Sequence, residues 1–187
     1  MLDSKHHSIL TLPPNVSQQD AVRAFRDPCI DALYWRAIRG RPQRIAAAYV
    51  PFRAYRVRYD HGHAHHNRYF ALDHVEGILD LYEFPDAPRE SNLLTLETRN
   101  CIPPHLPEPR GAALLREKVL RLIFQQGFFR AGLPNLHIER LPLDFHIPFW
   151  LAFYGADGRL RCRVMDSVRR RMEGGKATAL FERWLAA

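Results

Sequence analysis

Apolar and polar residues alternate along two long segments of the chain. The first, RIAAAYVPFRAYRVRY, places Tyr55, Val57 and Tyr59 between arginines, and the second is LHIERLPLDFHIPFWLAFYG. A period of two puts alternate side chains on opposite faces of a strand, so both segments are predicted to be half-buried β-strands. Each is followed by a turn and a further extended stretch, NRYFALD or RLRCRVMD. The sequence therefore predicts two β-hairpins.

Apolar residues recur with helical spacing in other parts of the chain. SQQDAVRAFRD begins with Ser17 as a potential N-cap and has Asp20 three residues later, a pattern typical of a helix start. A second helix is predicted over 28–39, where Pro28 is tolerated in the first turn. In AALLREKVLRLIFQQGFF, one face carries the apolar residues Leu115, Val119, Leu122 and Ile123.

The last segment, VRRRMEGGKATALFERWLAA, is predicted to form a terminal helix that is broken or kinked at Gly174 and Gly175. Its apolar stripe consists of Leu180, Phe181, Trp184 and Leu185. Such a stripe indicates docking on the core, and a partner-binding helix is the alternative.

The two halves of the chain repeat the same order of features. Each has Leu-Thr-Leu, a Pro-Pro pair, a helical segment and an extended segment with Pro-Phe, at Pro51–Phe52 and at Pro148–Phe149. Each then has an aspartate at the end of the returning strand, Asp73 or Asp166. The repeated order indicates an internal duplication.

This repetition predicts an α+β protein made of two related strand–helix–strand–strand halves whose antiparallel sheet shares one core. The first half, 1–90, includes the N-terminal tail, and the second half, 91–187, includes a C-terminal helix. Layers of helix on antiparallel sheet are a standard solution for burying one apolar face of each element. The halves are expected to pack together, with a single structural domain as the open alternative.

The VPF and IPFW strands, each followed by a hairpin and an aspartate, resemble modules of uncharacterised bacterial proteins. Those proteins carry duplicated β-hairpin modules with YVPFW-type strands. The resemblance implies an α+β fold and names no activity.

Composition places the chain among ordinary globular proteins. It has 187 residues, of which 47% are hydrophobic and 25% are charged, which suffices to bury a core without disulfides. Cys29, Cys101 and Cys162 are far apart and form no CxxC pair, which argues against a disulfide framework or a zinc ribbon. Reduced thiols, no secretory segment and no membrane-spanning apolar run predict a bacterial-type cytoplasmic protein without membrane contact.

Positive charge is concentrated in the later part of the chain. The net charge is +7, and residues 110–187 carry 14 Lys+Arg against 7 Asp+Glu. Such asymmetry can mark an anionic partner. The candidate anion-binding residues are Arg159, Arg161, Arg163, Arg169, Arg170 and Arg171. Nucleic acid is therefore a possible partner, and a solvated strand face is the alternative.

Four histidines cluster in HGHAHH, between the two strands of the first hairpin. They are His61, His63, His65 and His66. Imidazoles at alternate positions can bind zinc or nickel. The spelling resembles the HxHxDH motif of metallo-β-lactamase-fold hydrolases over six residues, but His65 stands where that family has Asp, so we reject this assignment. A solvated hairpin tip is the favoured interpretation, and no cofactor is assigned.

Two other residue types are interpreted as structural. Asp73 and Asp166 are expected to cap the turns that follow their strands, with a carboxylate pair as the alternative. Cys162 alternates with arginines in RLRCRVM and is predicted to face the core as an inert thiol.

No nucleotide-binding or hydrolase motif is present, and no catalytic residue is assigned. The sequence predicts a non-catalytic binding or assembly module with a groove for a ligand or a protein partner between the two halves. The groove residues are Phe52, Tyr55, Phe149, Trp150, Phe153 and Tyr154, with core packing as the alternative. Polyanion binding through the arginines and a metal-dependent enzyme using the histidines are the other functional hypotheses.

Overall fold

The computed structural model describes residues 6–26, 42–61, 64–125, 135–154 and 161–186. Within these residues the strands are β1 (His7–Thr11), β2 (Arg44–His61), β3 (Ala64–Asp73), β4 (Tyr82–Phe84), β5 (Leu94–Thr98), β6 (His137–Tyr154), β7 (Arg161–Asp166) and β8 (Arg171–Met172). The helices are α1 (Gln18–Arg26), α2 (Glu108–Gln125) and α3 (Gly175–Ala186), and Glu90–Asn92 forms a 3₁₀ turn. The helix predicted over 28–39 lies outside the described residues.

These elements form a mixed α+β structure with a large curled sheet and a C-terminal helix, which confirms the predicted class. Six strands follow the order β4-β3-β2-β6-β1-β5, and β7 and β8 continue from β6. The described hairpin pairings are antiparallel, whereas β1 meets β6 in parallel at Thr11 and His146. A second short parallel bridge joins Tyr49 and Cys101.

Two predicted helix boundaries were wrong. The helix α2 begins at Glu108, four residues before the predicted start, because a proline such as Pro109 fits a first turn whose N–H groups lack intrahelical partners. The segment before Gly174 is not helical: it forms a turn and β8, and the Glu173 N–H donates to the Val164 carbonyl at 2.8 Å. The helix α3 starts only at Gly175.

The chain divides into two compact units. Unit I comprises Met1–Val50, Leu94–Ile102 and His146–Ala187, and unit II comprises Pro51–Leu93 and Pro103–Phe145. Each unit therefore takes segments from both sequence halves, and its boundaries differ from the predicted division at residue 90.

In each unit a helix from one sequence half packs on the hairpin of the other half. In unit I, Phe25 of α1 packs in one apolar cluster with Ala152 and Met165 of the β6–β7 hairpin. In unit II, α2 packs on the β2–β3 hairpin through a larger cluster. Its buried members are Tyr55, Val57, Tyr59, Phe70, Leu72, Leu106, Leu115, Val119, Ile123 and Leu136.

The end of the β2–β3 hairpin is fixed by Asp73. This residue lies opposite Phe52, and the N–H of the following His74 donates to the Pro51 carbonyl at 2.8 Å. The Asp73 carboxylate is fully buried and accepts three backbone N–H groups. The donors are Glu76 at 3.0 Å, Gly77 at 2.8 Å and Leu79 at 2.8 Å. The predicted turn-capping role of Asp73 is confirmed.

The β6–β7 hairpin ends in the same local pattern. Asp166 lies opposite Phe149, and the N–H of Ser167 donates to the Pro148 carbonyl at 3.2 Å. The Asp166 carboxylate accepts the backbone N–H groups of Val168 at 2.9 Å and Arg169 at 2.8 Å. Its predicted capping role is also confirmed.

Candidate functional site

The positive charge of the chain belongs to one of the two units. The segments of unit I contain 16 Lys+Arg and 9 Asp+Glu, whereas those of unit II contain 11 of each. The whole net charge of +7 is therefore carried by unit I. Unit I collects basic segments from both ends of the chain, Met1–Val50 and His146–Ala187.

Two of the predicted anion-binding arginines are paired with carboxylates. Arg161 donates to Glu182 of α3 at 2.9 Å, and Arg171 donates to Glu173 at 3.0 Å. Surface pairs of this kind contribute about 0–1 kcal/mol and reduce the local positive field. Arg159 lies outside the described residues.

Other cations of unit I remain open to solvent. Four exposed cations have neither an ion pair nor a side-chain hydrogen bond in the described parts of the chain: Arg26, Arg44, Arg170 and Lys176. Arg170 has a φ of 57° and ends the turn between β7 and β8. These residues are available to an anionic partner.

Arg163 is buried in unit I. It is 7% exposed, and its guanidinium carbon lies 5.9 Å from the centre of the Phe25 ring, in the last turn of α1. Its NH1 atom has no hydrogen-bond partner among the described residues. A cation–π contact stabilises a cation by about 0.5–2 kcal/mol, and a position near a helix C-terminus stabilises it by about 0.3–1 kcal/mol. Burying an ion costs on the order of several kcal/mol, so the charge is not fully compensated.

The neighbour of Arg163 on β7, Cys162, behaves as predicted. It is 1% exposed, and burial raises the pKa of its thiol to about 12. The thiol is therefore protonated at neutral pH and is a poor nucleophile.

Unit II contains a polar network that the sequence did not reveal. The buried Arg53 guanidinium lies 3.5 Å from Asp144, 3.8 Å from Glu108 and 3.3 Å from the Nδ1 atom of His74. Arg140 donates to the same two carboxylates, at 2.9 Å to Glu108 and 3.0 Å to Asp144. The network joins β2 and β6 to the first turn of α2. Arg53 and Tyr55 are two residues apart on β2, so their side chains point to the same face of the strand. This spacing was the one feature of the sequence that indicated an inward-facing Arg53.

The network affects the ionisation of His74. Burial, followed by the nearby Arg53 guanidinium, lowers the pKa of His74 below its usual value, while the Leu106 backbone and Asp144 act in the opposite direction. The carbonyl of His74 also accepts the N–H groups of His105 and Leu106, at 2.9 and 3.0 Å. The backbone of His74 therefore holds the segment that leads into α2, and the lowered pKa favours the neutral form of its imidazole.

We expect acid to destabilise the protein through His74. Its folded pKa is lowered, so the unfolded state binds the proton first as the pH falls below about 6.5, and stability is lost from there down to the folded pKa. His74→Asn should lose less unfolding free energy than the unchanged protein between pH about 7.5 and about 5, in urea titrations. His105→Asn, at an exposed position, is the matched control. An unaltered acid response in His74→Asn would contradict this role.

The histidine cluster lies at the tip of the β2–β3 hairpin, as predicted, with His61 paired to Ala64. His65 lies 2.5 Å from the Asp60 carboxylate, and His66 stacks on Tyr59 with ring centres 4.8 Å apart. Within the described ranges no group of three side chains could hold a metal ion. His63 lies outside those ranges, so the zinc or nickel site stays a prediction.

The six aromatic residues predicted to line a groove are distributed over both units. The rings of Phe52 and Tyr82 in unit II meet edge to face with their centres 5.4 Å apart. In unit I the ring centres of Phe149 and Phe181 are 5.5 Å apart. The indole of Trp150 is half-buried and donates to the Val16 carbonyl at 3.0 Å. The remaining three, Tyr55, Phe153 and Tyr154, are buried. The groove therefore stays a prediction.

None of the helices in the described part of the chain is long and apolar enough to cross a bilayer. No protein-family model matches the chain, and no curated protein or solved structure matches it. Function is therefore inferred from charge and geometry alone.

Proposed function

We propose that the protein is a non-catalytic module that binds nucleic acid through the phosphate backbone, with unit I as the binding unit. The observation that carries this proposal is the collection of the whole net charge of +7 in unit I. Phosphate neutralisation supplies most of the affinity in sequence-independent nucleic-acid binding, and a basic unit attracts such a partner over long distances.

The type of cation supports phosphate as the ligand group. Of the 16 cations in unit I, all but Lys5 and Lys176 are arginines. The planar guanidinium donates two parallel hydrogen bonds to a phosphate and loses hydration more readily than an ammonium group. The half-buried Trp150 is packed on α1, so base stacking on that ring is not part of the proposal.

Binding to a duplex oligonucleotide of random sequence should weaken steeply with salt. If the four exposed and unpaired cations Arg26, Arg44, Arg170 and Lys176 each neutralise one phosphate, the slope of log K against log salt is about −3.6. Affinity then falls about a hundredfold between about 50 and about 200 mM salt, which fluorescence anisotropy can follow. A flat salt response, or stronger binding to heparin than to DNA at equal charge, would contradict the proposal.

Matched double substitutions separate the two units. Arg170→Gln with Lys176→Gln removes two exposed cations from unit I, and the slope should fall to about −1.8. Arg110→Gln with Arg121→Gln removes two exposed cations from unit II and should change the slope little. Equal effects of the two pairs would show that unit I is not the binding unit.

We also infer that the two sequence halves descend from one segment that was duplicated, with the helices exchanged between the copies. Two observations support this inference. Phe52 faces Asp73 and Phe149 faces Asp166, each as the last pair of its hairpin. The carbonyl of the proline before each phenylalanine accepts the N–H of the residue after each aspartate. Independent origins would not require the same register in both hairpins.

A further inference from the structure

We propose that Arg163 is a phosphate-binding residue, which holds one phosphate group of the bound nucleic acid at the end of α1. This proposal rests on the phosphate-backbone binding proposed for unit I. It adds a specific site to a function that would otherwise depend on diffuse surface charge alone.

Arg163 has no counter-charge among the described residues. Arg163 is 7% exposed, and the contact that the structure gives its guanidinium is the ring of Phe25 at 5.9 Å. In the described parts of the chain no carboxylate forms an ion pair with it, and NH1 lacks a hydrogen-bond acceptor. A buried ion in this state favours the binding of an anion, because the anion supplies both the charge and the acceptors.

Arg53, the other buried arginine of the described chain, has the opposite electrostatic environment. Arg53 is 9% exposed and lies between the carboxylates of Glu108 and Asp144. A phosphate approaching Arg53 would be repelled by these two groups. At Arg163 no carboxylate of the described residues is paired with the guanidinium. A phosphate that approaches Arg163 therefore does not meet this repulsion.

Arg163 lies beside the last turn of α1 in unit I. The Phe25 ring lies 5.9 Å from the guanidinium carbon and shields it from water, and the buried NH1 atom lacks the acceptor that a phosphate oxygen would supply. Arg26 follows Phe25 and is exposed, so a second positive charge lies next to Phe25 in the sequence. A desolvated arginine with an exposed cation nearby is an arrangement that binds phosphate more strongly than a solvated one.

The test compares the unchanged protein with Arg163→Met and with Arg23→Met, which removes one exposed charge from α1 in the same unit. Thermal unfolding is measured in inorganic phosphate and in chloride at equal ionic strength. Phosphate at ten times its dissociation constant should raise the midpoint of the unchanged protein and of Arg23→Met by about 3–5 °C. Arg163→Met should be at least as stable in chloride and should gain nothing from phosphate.

Oligonucleotide affinity is measured on the same three proteins at low salt. Arg163→Met is expected to bind at least tenfold more weakly, while Arg23→Met changes affinity less than threefold. If all three proteins bind the oligonucleotide and gain equally from phosphate, the Arg163 site is wrong and the function of unit I stands. If none binds the oligonucleotide but phosphate stabilises all except Arg163→Met, the site is supported and the nucleic-acid function is wrong. Strong destabilisation of Arg163→Met in chloride would also overturn the proposal, because it would show a structural role for Arg163.

Discussion

Asp73→Ala is expected to lower the free energy of unfolding by about 3–5 kcal/mol. The carboxylate is fully buried and accepts the N–H groups of Glu76, Gly77 and Leu79. Hydrogen bonds to an ionised acceptor contribute about 1.5–3 kcal/mol each, and each buried donor left unpaired costs about 1–3 kcal/mol. The turn that follows β3 should lose its conformation in the variant.

Urea unfolding followed by circular dichroism measures this effect. Asp86→Ala, in an exposed turn of unit II, is the control and should change stability by less than about 0.5 kcal/mol. Asp73→Asn keeps one acceptor oxygen and should be intermediate. If Asp73→Ala is as stable as Asp86→Ala, the three hydrogen bonds do not hold the turn in solution.

Leu115→Ala is expected to destabilise unit II by about 2–5 kcal/mol. Leu115 of α2 is fully buried, and the substitution leaves a cavity in the apolar cluster that joins α2 to the β2–β3 hairpin. Leu94→Ala is the control, because Leu94 is 50% exposed, and it should cost less than about 1 kcal/mol.

Hydrogen exchange shows where the damage occurs and tests the exchange of helices between the halves. Leu115→Ala should increase amide exchange most in β3, which belongs to the first sequence half, because α2 from the second half covers that hairpin. Phe25→Ala, in α1 of the first half, should increase exchange most in β7 of the second half. Loss of protection confined to the half that carries the substitution would contradict the exchanged arrangement.

Local patterns in the sequence predicted most of the individual elements. Alternation identified both hairpins, and the Ser17–Asp20 pair marked the start of α1, where the Ser17 hydroxyl accepts the Asp20 N–H at 3.2 Å. The burial of Cys162 and the capping by Asp73 followed from position within a strand. These properties depend on near neighbours in the chain, which periodicity and capping rules describe.

Contacts between residues that are distant in the sequence were beyond such rules. The Arg53 network joins residues up to 91 positions apart, and nothing near Arg53 in the sequence identifies Asp144 as its partner. The burial of Arg163 depends on α1 covering β7, which periodicity does not predict. The segment before Gly174 was predicted to be part of the terminal helix, but Arg171–Met172 form β8, which pairs with β7. This strand pairing is also a contact that local periodicity does not predict.

The interleaved make-up of the two units has a consequence for protein synthesis. Unit I begins with Met1–Val50 but needs His146–Ala187, and unit II needs Pro103–Phe145. A nascent chain that has left the ribosome only as far as residue 90 can complete neither interior, so its apolar hairpin stays exposed while translation continues. The protein is thus expected to depend on chaperones that hold growing polypeptides, and slow translation of its second half should increase aggregation.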